Sequence, residues 1–169
     1  MLTVSADKTA KVWDISEDGS GLVNTTYTFS DVGGADDMQV GCLWMGDYLI
    51  SISLGGVMNY LSLSKPSKPM RVLSGHLKSI TALTIAKEGE TLELYSSSYD
   101  GVIVKWKLGS GYHGRLQKNG TLNTAMYMLA EGGELITCGM DNKVCDLLTE
   151  LCVNSLKVGG NCGFDPSLR

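Results

Sequence analysis

Ser96, His76 and Asp100 have the residue types of a hydrolytic triad: a hydroxyl to attack, an imidazole to take its proton, a carboxylate to orient the ring. That chemistry needs the serine presented on a strained strand-to-helix turn, and no such elbow surrounds Ser96. The spacing points elsewhere. Gly75-His76 stands 24 residues before Asp100, and Trp106 stands six after it. Trp106 and the Gly-His spacing explain the grouping by structure without any substrate, so no catalytic residue is assigned.

Other groupings could also do chemistry. Gly109-Ser-Gly-Tyr-His-Gly114 follows an apolar run and fits G-x-G-x-x-G. Arg115-Leu-Gln-Lys-Asn-Gly120 then leaves too little room for the helix whose N-terminus would hold a pyrophosphate, so an inter-strand loop is expected. Cys138, Cys145 and Cys152 are seven residues apart, which is not the close pairing of a zinc site. His113 is alone on its expected loop, and no metal or cofactor is assigned. Asn24-Thr-Thr26 and Asn119-Gly-Thr121 fit the glycosylation pattern by coincidence if the chain is not secreted. The acidic pair Asp36-Asp37 is read as a solvated surface feature that could lie in a protein-binding loop.

These residues must be positioned by short elements joined by many turns. The 21 glycines fall mostly between apolar runs, and apolar residues make up 43% of the 169. With 19% charged residues, a folded chain is expected and disorder is not. A net charge of −4, without clustered Lys or Arg, argues against nucleic acid as a partner. No apolar stretch approaches the roughly 18 residues of a membrane helix, so no membrane partner is expected. The N-terminus lacks the pattern of a signal peptide. An odd set of five scattered cysteines suits reduced thiols, which makes the cytoplasm the expected compartment.

The organising signal is a repeat. Ser5–Trp13, Ser53–Leu61, Ser98–Trp106 and Gly139–Leu147 align, with turn positions at Asp7, Gly55, Asp100 and Asp141. The intervals are 48, 45 and 41 residues, close to the roughly 40–45 of a four-stranded propeller blade. Each copy reads as a β-hairpin: a strand ending in small residues, a tight turn, then a strand running to a large residue. Two further apolar runs lie between hairpins, such as Met70–Leu73 and Ile80–Ile85. The fold class expected is all-β: a partial β-propeller of about three to four four-stranded antiparallel blades.

On Gly75-His76, Asp100 and Trp106 in that order and spacing, the chain resembles the WD-repeat family. The resemblance implies a buried hydrogen-bond chain through His76, Ser96, Asp100 and Trp106. The chemistry allows it, because an indole only donates, a hydroxyl does both, and a neutral imidazole accepts at one nitrogen and donates at the other. The other copies depart: Gly55 replaces the aspartate, Leu61 and Leu147 replace the tryptophan, and no Gly-His precedes them. Those blades are expected to lean on packing.

Ser5–Asp14, Gly41–Trp44, Leu49–Gly56, Asn59–Leu61, Pro66–Pro69 and Ser74–Ile80 are more specifically similar to the actin-interacting protein family. This resemblance covers roughly residues 1–145. It implies an actin-filament-binding scaffold, with cofilin as a second partner, that promotes cofilin-dependent filament disassembly in the cytoplasmic cytoskeleton and is not an enzyme. A generic WD scaffold, such as a ubiquitin-ligase or signalling adaptor, is the alternative. No motif marks the residues that touch actin or cofilin. Residues 1–156 are expected to form the blades of an incomplete propeller and 157–169 a poorly matching tail. The chain reads as a fragment, beginning inside a hairpin.

Overall fold

The computed structural model describes residues 1–29, 34–66, 68–88, 91–109, 111–116, 122–129, 134–146 and 152–154. Four antiparallel sheets follow one another along the chain. The first contains β1 (Leu2–Val4), β2 (Thr9–Ile15) and β3 (Gly21–Thr28). The second contains β4 (Gln39–Met45), β5 (Tyr48–Ser53), β6 (Val57–Leu61) and β7 (Arg71–Ser74). The third contains β8 (Ile80–Glu88), β9 (Thr91–Ser98), β10 (Ile103–Lys107) and β11 (Gly111–Leu116). The fourth contains β12 (Asn123–Met128), β13 (Leu135–Gly139), β14 (Lys143–Asp146) and β15 (Cys152–Asn154). Strands pair in sequence order in every sheet, so these are propeller-type blades. One 3-10 turn, Ala35–Asp37, is the only helical element among the described residues.

Each of the four turn positions lies in a hairpin of the same design. The backbone N–H of Lys8, Gly56, Gly101 and Asn142 donates back three residues, to Ser5, Ser53, Ser98 and Gly139. All four of those residues are left-handed, with φ of 68°, 83°, 78° and 58°. A tight turn closed by one left-handed residue matches the twist of the two strands it joins. Asp7, Asp100 and Asp141 each accept the N–H two residues on, from Thr9, Val102 and Lys143. Where Gly55 has no side chain, Ser53 Oγ accepts the Val57 N–H instead, at 3.2 Å.

The core lies between sheets. Ile50, Ile52, Met58 and Tyr60 of the second pack against Ile80, Leu94, Val104 and Trp106 of the third. Ala10, Val12 and Tyr27 of the first meet Leu49 and Leu61 of the second. Tyr95 and Ile103 of the third meet Met126, Met128 and Leu135 of the fourth. Accordingly β6 is buried on both faces over Met58–Leu61, whereas β2 alternates.

Three expectations need correction. Gly111–Leu116 of the glycine-rich segment is strand β11, so His113 lies on a strand and not a loop. The pairing of β10 with β11 shifts register between Lys105 and Trp106, a bulge that small residues accommodate. Cys42 and Cys138 are free, but Cys145 is disulfide-bonded. An odd cysteine count cannot reveal which positions a hairpin brings opposite, and the β14–β15 register sets Cys145 across from Cys152. Leu147, Asn119 and the stretch 157–169 lie outside the described residues.

The hydrogen-bond chain and the rim above it

Gly75 and His76 follow β7, on the loop that enters β8. An added Cβ on Gly75 would stand 2.4 Å from Cη2 of Trp106, so only glycine lets the loop pass over the indole. That passage delivers His76 inward. Its Nε2 lies 2.7 Å from Ser96 Oγ, and its Nδ1 lies 3.2 Å from Asp100 Oδ2. Trp106 Nε1 donates to the same Ser96 Oγ at 2.7 Å. The indole can only donate, so the serine hydroxyl gives its own proton to Nε2, and Nδ1 carries the proton offered to Asp100. Asp100 also accepts the N–H of Leu77 at 2.8 Å and of Val102 at 2.9 Å. The structure thus brings His76, Ser96, Asp100 and Trp106 into one chain, from the indole through hydroxyl and imidazole to the carboxylate.

Electrostatics follow from the burial. The His76 side chain is fully enclosed, and burial holds its imidazole below the ordinary histidine range against the opposing pull of Asp100. For Asp100 burial pushes the carboxyl up, but the N–H groups of Leu77 and Val102, with His76, outweigh it and leave it below the usual carboxylate range. Neutral imidazole on carboxylate is therefore the resting state. Ser96 has no surface exposed, and its oxygen is already engaged by both ring systems. A hydroxyl so placed offers no line of approach to a substrate carbonyl.

The other turn positions lack this arrangement but are not left to packing alone, which corrects the expectation for the first and second sheets. In the first, Trp13 Nε1 donates to Thr3 Oγ1 at 2.7 Å. In the second, Gln39 Nε2 donates to Asp37 O at 2.7 Å, while Asn59 Nδ2 reaches Gln39 Oε1 at 3.4 Å. A hydroxyl stands four residues before every turn position: Thr3, Ser51, Ser96 and Thr137. With Leu61 where a tryptophan could donate, Ser51 Oγ is buried and unpartnered among the described residues. Sequence reading also missed Lys105 Nζ, which sits 2.6 Å from buried Glu93 Oε2, with the Tyr95 hydroxyl donating to the same oxygen at 3.1 Å. A glutamate between Leu92 and Leu94 was the available signal.

Residues 67–107, which hold the whole chain of four, match the family model described as "WD domain, G-beta repeat". The sequence is 45% identical over 135 residues to Actin-interacting protein 1-2 of Arabidopsis thaliana, covering 79% of this chain and 22% of that protein. It is 41% identical over 145 residues to WD repeat-containing protein 1 of Gallus gallus, covering 85% and 23% respectively. With Actin-interacting protein 1 of Drosophila melanogaster it shares 40% over 144 residues, covering 85% and 22%. Residues 67–107 thus carry a WD repeat, and the sheets on either side of it share its strand order. It spans less than a quarter of the length of these curated relatives.

In this WD-repeat chain the hydrogen-bond chain also fixes one rim of the sheets. The hairpin turns and the loops that link sheets meet there: Gly55 N donates to Asp36 O, Leu54 N to Met38 O and Tyr99 N to Ser79 O. A Cβ on Gly56 would meet Lys78 O at 2.3 Å, so the second sheet's turn sits directly against the loop after His76. Gly55 is held less tightly, with the Asp36 Cβ 3.0 Å from where its own would be. Both glycines are thereby explained by WD-blade packing. Among the described residues no three His, Cys, Asp or Glu gather to hold a metal ion, and no helix is long and apolar enough to cross a membrane.

Proposed function

We propose that this chain is a binding scaffold for actin filaments and acts with cofilin to promote filament disassembly. The observation that carries the reading is identity of 40–45% to proteins named actin-interacting, over 79–85% of this chain. Four blades with rigidly bonded turns supply what a scaffold needs, a fixed surface without moving parts. Its effect on a filament must then arise from binding one filament state better than another. Such a protein resides in the cytoplasm with the actin cytoskeleton. It is not an enzyme: the one triad-like group holds its hydroxyl buried between an indole and an imidazole.

The test is sedimentation and single-filament imaging of actin with cofilin, with and without this protein. Faster loss of cofilin-decorated filaments is expected, with little effect on bare ones. Unchanged filaments across a wide concentration range would return the chain to the broader reading that the WD repeat supports, a scaffold for another protein complex.

A further inference from the structure

Three apolar side chains on one rim are left open to solvent to different degrees. Leu77 is 86% exposed, Tyr99 50% and Leu54 38%. They belong to three connected segments spanning the boundary between the second and third sheets. The turn bearing Leu54 abuts the loop bearing Leu77, where Gly56 meets Lys78 O. That loop is bonded to the turn bearing Tyr99, because Leu77 N donates to Asp100 Oδ2. Resting on the actin reading above, we propose that Leu54, Leu77 and Tyr99, flanked by Asp36 and Asp37, are this chain's contact surface for the actin filament, met there by an apolar socket with a basic side chain beside it.

Leu77 is the most exposed of the three. A leucine turned almost wholly to water loses apolar burial that an inward rotamer or a polar residue would avoid. Its backbone cannot yield, since its own N–H is tied to a buried carboxylate that is in turn held by His76 and Val102. The side chain is therefore offered to a partner from a fixed platform, so binding costs little ordering entropy there. Tyr99 adds a large amphipathic side chain of the kind that concentrates binding energy at interfaces. The charge of the partner follows from the acidic pair. Asp36 is exposed and Asp37 half-buried on the 3-10 turn, with Asp36 packed on Gly55 next to Leu54. Arg115 donates to Gly75 O and Lys78 follows Leu77 in the chain, so the basic group favoured on the partner belongs opposite Asp36, at the Leu54 side of the patch.

The test uses cosedimentation of the protein with cofilin-decorated filaments. Leu77→Asp is expected to weaken binding at least tenfold, and the Asp36→Lys/Asp37→Lys pair about fivefold. Val72→Ser, another exposed apolar position but on the outer strand β7, serves as the control and is expected to bind as the parent does. The exposed positions leave the thermal midpoint in place, which melting of each variant verifies. If the parent binds and Leu77→Asp binds equally well, the rim assignment is overturned while the actin reading stands. Equal losses in Leu77→Asp and Val72→Ser overturn it too. If the parent itself does not bind, the actin reading fails and the rim assignment with it.

Discussion

The second and third sheets share a strand order, a turn design and a common core, yet they settle the same buried positions differently. The third places a tryptophan at 106 to satisfy Ser96, and the histidine that completes the chain comes from the loop before it. The second keeps the hydroxyl, Ser51, but sets Leu61 opposite, and spends its polar bonds on Gln39 and Asn59 instead. In the third sheet the corresponding strand positions are the apolar Ile80 and Val104. Bonding buried polar groups is thus a task shared across each sheet, met incompletely in the second, where Ser51 Oγ and the Tyr60 hydroxyl have no partner among the described residues. Which positions meet it can change, and a leftover hydroxyl records the change.

The largest expected effect comes from giving the third sheet the second sheet's residue. Trp106→Leu should destabilise by about 3–5 kcal/mol, through lost packing and the lost indole bond to buried Ser96, which keeps only His76. Urea melts read it, and a loss below about 1 kcal/mol would mean that the indole bond is dispensable. Next is the glycine that locks the two sheets together. Gly56→Ala should cost about 2–4 kcal/mol, since φ is +83° and the new methyl meets the Lys78 carbonyl. Retention of full stability would deny the close approach.

The matched serines sharpen the comparison further. Ser96→Ala should cost about 1–3 kcal/mol because it strands Trp106 and His76, whereas Ser51→Ala should be neutral or slightly stabilising because it removes a hydroxyl with no partner. Equal losses at both positions would erase the distinction between the sheets. Within the third sheet, His76→Ala and Asp100→Ala should each cost about 1–3 kcal/mol, and together less than their sum. Strict additivity in that cycle would separate the two residues.

The smallest effect is a slope with pH. Burial depresses the His76 pKa in the folded state, so the unfolded chain takes up that proton first as the solution is acidified. Its share of stability is complete above about 6.5, the unfolded value, and is lost as pH falls through the lower folded value. Asp100 shifts in the same direction and loses its share further down, below about 3.9. Replacing His76 with Asn should flatten the dependence between pH 7 and 5. An unchanged slope would show that another group sets it.

Much of this was legible in the sequence because turns repeat. Asp7, Gly55, Asp100 and Asp141 mark hairpins through the short polar or small residues that tight turns require, and the blades follow from their spacing. His76, Asp100 and Trp106 stand at the intervals of a WD repeat, and the resemblance to that family adds Ser96 to them. The Gln39–Asn59 contact could not be, because it joins residues 20 apart on strands β4 and β6, which are not neighbours in the sheet. The hydroxyl before each turn was visible but hidden in plain view, since Ser96 stands in a run of three serines. The exposed trio on the rim was the least legible. An apolar residue at a turn looks like the frayed end of a strand until its accessibility is known.

The placement of the core between sheets sets how damage spreads. Four sheets enclose three clusters, each half-owned by two neighbours, so stability accrues by interface and not by sheet. Loosening the boundary between the second and third sheets weakens both owners of that cluster, while the pairing of the third with the fourth draws on Tyr95, Ile103 and Leu135, which that injury does not touch. Cooperativity in such an array is a nearest-neighbour affair, as in a row of coupled spins. An insult is felt strongly next door and fades with each sheet beyond.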